Sequence, residues 1–198
     1  MEDIFENKDI RQIEKFARDN HYPVLLRPSA IELYNVIKQE NPSKILEIGT
    51  AIGYSGSIIL LSCKGDLVTL EKDNNSIKIA QTNFEKLNLL NRVKIINCDA
   101  YDFLINCNEK FDFIFLDGPK GQYIKYYPYI KKILNKNGIL FADNVLFRGL
   151  VKQDNCPRKY RSLVNHLKEF NKTLQCDKDF ETELKEIGDG LLIARKIL

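Results

Sequence analysis

Two apolar runs in this chain end in acids. Phe111-Asp-Phe-Ile-Phe-Leu leads into Asp117-Gly-Pro-Lys120, and Gly138-Ile-Leu-Phe-Ala leads into Asp143-Asn144. Each run reads as a buried strand of a parallel sheet, whose strand ends share one rim. Asp117, Asp143 and Asn144 then converge as two carboxylates and an amide oxygen. That hard, all-oxygen set suits Mg²⁺ or Ca²⁺ rather than zinc. A single apolar strand ending in Asp would be commonplace. Two such ends, one of them Asp-Asn and the other followed at three residues by Lys120, are hard to explain as solvated strand tips. A divalent cation at such a rim lowers the pKa of a bound hydroxyl and fixes its oxygen for attack, which is what O-methyl transfer lacks. Lys120 is the candidate general base, provided the cation and nearby positive charge depress its pKa. The plain alternative is a surface lysine.

A second constellation lies upstream. Ile45-Leu-Glu47-Ile-Gly49-Thr-Ala-Ile-Gly53-Tyr-Ser55-Gly56 follows a strand and opens a helix. Gly49 and Gly53 allow a tight turn and close approach to a ligand. Glu71 ends the next strand, where an acid can accept from ribose hydroxyls, so the pair points to an adenosine-type ligand. A dinucleotide loop would read G-x-G-x-x-G, but Ala51 stands where its first glycine belongs. Glu47 also suits a cationic ligand better than a pyrophosphate. The pattern E-x-G-x-x-x-G is that of S-adenosylmethionine methyltransferases.

These residues need a scaffold. Helical spacing covers 9–20, and a second helix with Pro28 in its first turn runs to about Gln39. Strands are expected at Ile45–Ile48, Leu67–Leu70, Val93–Ile96, Phe111–Leu116 and Ile139–Ala142. Helices are expected near 55–63, 75–88, 99–106, 122–135 and 158–173. This alternation implies an α/β, Rossmann-like parallel sheet with helices on both faces. Phe180–Ile187 and Leu191–Ile197 flank Gly188-Asp189-Gly190 and read as an antiparallel hairpin. The expected organisation is one domain over 1–198, with N-terminal helices in 1–40 and the core in 41–198.

Composition excludes several classes. The chain has 198 residues, 44% hydrophobic and 29% charged, which is globular. No apolar run approaches a membrane span, and the acidic start, Met1-Glu-Asp-Ile-Phe-Glu-Asn, has no signal-peptide core. Five cysteines without a C-x-x-C pair fit neither a zinc site nor a disulfide framework, and scattered thiols fit a reducing cytoplasm. His21 and His166 stand far apart, against a His-based metal site or a Ser-His-Asp triad.

Taken together, the motifs resemble the cation-dependent class I O-methyltransferases, the group of catechol and caffeoyl-coenzyme A O-methyltransferases. The likeness covers Glu47–Ser55, Glu71, Asp99-Ala100, Asp117–Lys120, Asp143-Asn144 and Gly188–Gly190. It implies a seven-stranded, mostly parallel sheet with an antiparallel C-terminal hairpin, and usually a homodimer. It implies that Glu47, Gly49, Gly53, Ser55, Glu71, Asp99, Ala100 and Asp117 line an S-adenosylmethionine site. Asp117, Asp143 and Asn144 would hold Mg²⁺, and Lys120 would be the catalytic base. Within that family, Asn144–Val151, Arg158–Arg161 and Asp179–Leu184 resemble the bacterial tRNA 5-hydroxyuridine methyltransferases. These make 5-methoxyuridine at the wobble position of the anticodon. The first 27 residues depart from any detailed match.

Charge agrees with that narrower likeness. The net charge is +3, yet residues 118–172 carry 12 Lys/Arg against 3 Asp/Glu. A solvated face is the bland account of such a stretch. Its position beside the metal rim makes Arg148, Lys152, Arg158, Lys159 and Arg161 candidates for the tRNA backbone. Tyr123, Tyr126, Tyr127 and Tyr129 interleave with lysines, but packing on an amphipathic helix accounts for several of them. Two alternatives stay open: a small-molecule catechol-type O-methyltransferase, and a non-catalytic RNA-binding protein on the same scaffold.

Overall fold

Asn7 starts the first helix. Its side-chain oxygen accepts from the N–H groups of Asp9 (2.9 Å) and Ile10 (3.3 Å), two donors the helix itself leaves unpaired. The computed structural model describes residues 4–198. Packing divides the chain into two units, one up to Ala100 and one from Tyr101 onward. Each contributes strands to a seven-stranded sheet.

In the first unit, α1 (Lys8–Asp19) buries Ile10, Ile13 and Ala17. α2 (Arg27–Glu40) has Pro28 in its first turn and ends on Asn41 in the left-handed region. Then β1 (Lys44–Ile48), α3 (Tyr54–Ser62), β2 (Asp66–Glu71), α4 (Asn74–Lys86) and β3 (Val93–Asn97) alternate. The strands lie in the order β3-β2-β1, all parallel, with Leu46 beside Val68 and Val68 beside Lys94. Parallel pairing places the carboxyl ends of all three at one rim, which is where the glycine loop and Glu71 emerge. α5 (Ala100–Asn106) spans the boundary.

In the second unit, β4 (Phe111–Leu116), α6 (Tyr123–Ile133), β5 (Leu134–Ala142), α7 (Arg161–Cys176), β6 (Phe180–Lys185) and β7 (Leu191–Lys196) follow. Their order is β4-β5-β7-β6. β4 and β5 are parallel, and β7 is antiparallel to both its neighbours. The core is aromatic: Phe113 and Phe115 pack against Phe141 with tilted rings, and Tyr123 meets Phe170 edge-on at 5.4 Å. Each such ring removed from water contributes about 1.5–3 kcal/mol.

The expected α/β sheet with its terminal hairpin is present. Several boundaries differ, and two have a clear local cause. β5 begins at Leu134 rather than Ile139, because α6 passes directly into extended chain and the register slips between Phe111 and Phe113. The segment 158–160 is a 3₁₀ turn, and α7 starts only at Arg161. Among the described residues no helix is long and apolar enough to cross a membrane.

Candidate active site

The glycine loop of the first unit is fixed from beneath by a buried carboxylate. Glu47 is 0% exposed. Its Oε1 accepts from the Ser55 hydroxyl (2.5 Å) and its Oε2 from the Thr69 hydroxyl (2.6 Å). Glu47 is expected from the sequence to line the cofactor site, and its hydrogen bonds leave that expectation untouched. In the structure both its oxygens serve internal hydroxyls, so it positions the loop. Thr69 and its partner Thr50, with hydroxyl oxygens 2.5 Å apart, were missed. The available signal was a threonine inside the apolar strand Leu67-Val-Thr-Leu70.

Gly53 has φ +82°, and a Cβ there would stand 3.1 Å from the Phe84 ring. Conformation and contact both demand glycine at that turn. Gly49 (φ +108°) donates its N–H to Leu70 O at 3.1 Å. Glu71 reaches across: its Oε2 accepts from Ala51 N–H (2.9 Å), and its Oε1 from Lys72 and Asp73 N–H (2.9 and 3.0 Å). One carboxylate thus joins the loops after β1 and β2. Glu71 pairs in register with Asn97, so Asp99 and Ala100, just beyond β3, lie on the same rim. Asp99 is exposed and Ala100 opens α5.

The second unit carries the acid pair. Leu116 and Ala142 are register partners, and Asp143 N–H donates to Leu116 O at 3.0 Å, so Asp117 and Asp143 leave adjacent strands side by side. Tyr123, fully buried, ties this end together. Its hydroxyl lies 3.2 Å from both Leu116 O and Asp143 O, and its single proton serves one at a time. Burial pushes its phenol far above the usual range, and the charges of Asp117 and Asp143 push the same way. Burial also raises the Asp117 carboxyl, against the pull of the Lys120 ammonium. Lys120 Nζ donates to Asp117 Oδ1 at 2.9 Å.

Asn144 follows in the left-handed region (φ +58°). Its neighbours are clasped by the terminal hairpin. Val145 and Leu146 N–H donate to Gly190 O and Asp189 O, each at 3.0 Å, and Arg148 N–H donates to Asp189 Oδ1 at 2.6 Å. Gly188-Asp189-Gly190 therefore does more than reverse the chain: it shapes the loop that carries the metal candidates.

Two carboxylates and an amide oxygen at adjacent strand ends fit a hard divalent cation with open positions for a substrate. One oxygen of Asp117, Oδ1, is engaged by Lys120. Among the described residues no three His, Cys, Asp or Glu side chains cluster as a metal cage.

The basic candidates divide. All five are exposed, but Lys152 is paired with Glu186 and Arg161 Nε donates to Cys156 O at 3.3 Å, while the Arg148, Arg158 and Lys159 side chains have no such partner among the described residues. Phe147 and Tyr160 meet edge-on at 5.4 Å, with Arg148 beside one ring and Lys159 Nζ 4.7 Å from the other. Tyr123, Tyr126 and Tyr127 are buried, so they pack.

A glycine loop, an acid-terminated pair of strands and a mixed seven-stranded sheet define an α/β transferase scaffold. A family model described as O-methyltransferase matches residues 14–197, and this chain belongs to that family. It is 30% identical over 172 residues to a caffeoyl-CoA O-methyltransferase of Populus kitakamiensis, covering 82% of this chain and 73% of that protein. A Staphylococcus aureus protein provisionally assigned to the same activity superposes with a TM-score of 0.88 at 30% identity, covering 96% of this chain and 93% of that one. The SAH-bound Podospora anserina methyltransferase PaMTH1 superposes with a TM-score of 0.85 at 26% identity, covering 96% and 88%.

Proposed function

We propose that this O-methyltransferase uses S-adenosylmethionine and Mg²⁺ to methylate the 5-hydroxyl of 5-hydroxyuridine at the tRNA wobble position. The supporting observation is the basic segment that follows Asp143-Asn144 in the same unit: exposed Arg148 and Lys159 lie beside the half-buried Phe147–Tyr160 ring pair, and exposed Arg158 precedes Lys159. Cations bind phosphates, and ring faces accept splayed bases.

The chain's own residues would act as follows. Gly49 and Gly53 leave backbone open to the methyl donor, and Glu71 and Asp99 offer acceptors to its sugar and base. Asp143, Asn144 and the free oxygen of Asp117 would hold the cation. As a neutral amine still donating one N–H to Asp117, Lys120 would take the proton from the acceptor hydroxyl onto Nζ and become the ammonium. When bound, the donor supplies an electrophilic methyl group and the cation supplies charge that favours the ionised acceptor.

The test is incubation with S-adenosylmethionine, Mg²⁺ and tRNA containing 5-hydroxyuridine, then digestion to nucleosides. 5-Methoxyuridine is expected. Its absence from a preparation that methylates a catechol would sink the tRNA reading. Asp143→Ala should abolish transfer while S-adenosylhomocysteine still binds; joint loss would make the residue structural.

The named relatives favour a second reading, a small phenolic acceptor carried on coenzyme A. Coenzyme A also bears phosphates, so the same cations would serve it. Salt separates the two. Single-stranded RNA loses about 0.7 log units of affinity per phosphate contact for each tenfold rise in salt. An Arg158→Ala/Lys159→Ala variant should flatten that slope and leave methylation of a free catechol unchanged.

A further inference from the structure

A groove of about 460 Å³ runs between α1 and α4 in the first unit. One wall is Asp9, Gln12, Ile13 and Phe16, which share one face of α1. The other is Lys78, Ile79, Thr82, Asn83 and Lys86, which share one face of α4. The volume suits a small molecule. We propose that this groove binds a small amphipathic anion: an aromatic or short acyl body bearing one carboxylate or sulfonate. The proposal is independent of the methyl acceptor.

Three observations carry it. First, the interior is apolar. Ile13 and Ile79 line it, and Phe16 leaves 42% of its surface open although its other contact is a stacked ring, Tyr22, at 6.1 Å. An exposed phenylalanine beside two isoleucines is unsatisfied apolar surface, not a scattered surface residue. Second, the charge is one-sided. Lys78 and Lys86 are exposed, stand about two helical turns apart on one wall, and among the described residues enter no ion pair. Asp9 is the one acid among the described lining residues, so one anionic group is welcome and a second is not. Third, the α4 wall is rigid where it matters. Asn83 is buried and donates Nδ2–H to Ile52 O at 2.8 Å, and Phe84 packs under Gly53 and Gly56. A wall already ordered loses little entropy on binding.

The probe is 8-anilinonaphthalene-1-sulfonate, titrated by fluorescence into the full chain. Its neutral counterpart, N-phenyl-1-naphthylamine, is run in parallel. One sulfonate per chain is expected. Lys78→Glu/Lys86→Glu should weaken it about tenfold, as two partly exposed ion pairs would, and change the neutral probe less than about twofold. Phe16→Ala should weaken both probes. S-adenosylhomocysteine affinity and the thermal midpoint report that the variants are folded. Sulfonate binding untouched by the charge reversal would overturn the proposal, as would several equivalents per chain insensitive to Phe16→Ala. Binding that disappears as protein concentration rises would assign the groove to a second copy of this chain and overturn it too.

Discussion

Lys120 Nζ lies 2.9 Å from Asp117 Oδ1, three residues back along the same strand exit. The proposed base is thus hydrogen-bonded to the carboxylate proposed to hold the cation. Replacing Lys120 by Ala removes the proton acceptor and leaves the rest of the donor set in place. A loss of about 10²–10⁴-fold in kcat is expected. The loss should shrink as pH rises, because an acceptor that ionises unaided no longer needs the amine. The pH–rate profile under saturating cofactor decides: a loss equal at every pH would leave Lys120 without a base role.

Glu47 is different in kind, since it is buried and touches two hydroxyls. Glu47→Ala leaves the Ser55 and Thr69 hydroxyls without their acceptor and opens a cavity below the loop. About 2–4 kcal/mol of stability should go, or roughly 5–15 °C in thermal midpoint. Cofactor affinity should fall with it. A variant of unchanged midpoint and weakened affinity would show that Glu47 acts on the ligand directly.

Gly190 is locked twice. Its φ is +89°, and an added Cβ would fall 2.3 Å from Leu146 Cγ. Gly190→Ala should destabilise by about 3 kcal/mol or more. Adding Leu146→Ala removes the Cγ and Cδ1 clashes but leaves the Cβ contact at 2.6 Å and the backbone strain. The double variant should therefore recover part of the loss by urea unfolding, where simple additivity would make it worse.

Acid should reach the Asp177 cluster only below about pH 4. Burial raises this carboxyl, but donors from Lys131, Tyr127 and the Asp179 N–H outweigh it and hold it below the ordinary range. A depressed carboxyl stabilises the fold above its unfolded pKa, near 3.9, and that stability drains away as pH falls through the lower folded value. Asp117 is raised and acts with the opposite sign. Asp177→Asn should lower stability at pH 7 and flatten its decline below about pH 4. Equal slopes for wild type and variant in urea midpoints from pH 3 to 7 would contradict this.

Local pattern made the elements legible. Phe111–Leu116 and the helices of the first unit emerge within about a residue or two of their expected bounds, because each has a hydrophobic period and a cap or turn at its ends. Lys136-Asn137-Lys/Asn-rich polarity hid the start of β5: the stretch Asn135–Gly138 has the composition of a turn, yet it runs in the strand with Asn137 at φ +64°. The acids at the strand ends were readable for the same local reason. The clasp of Asp189 and Gly190 on residues 145–148 was not, since it joins segments more than forty residues apart. Nor was the inward turn of Glu47, because a sequence motif names a carboxylate without saying which side of the loop it faces.

Glu71 receives three backbone N–H groups from two loops before any ligand arrives. In genetic terms, that makes the position a poor place to look for separation of function. Any null allele there would confound a dismantled rim with a lost contact, and would look the same in a growth screen or a binding assay. Alleles that silence catalysis alone must be sought at the other end of the reaction, among side chains that bear no architecture of their own.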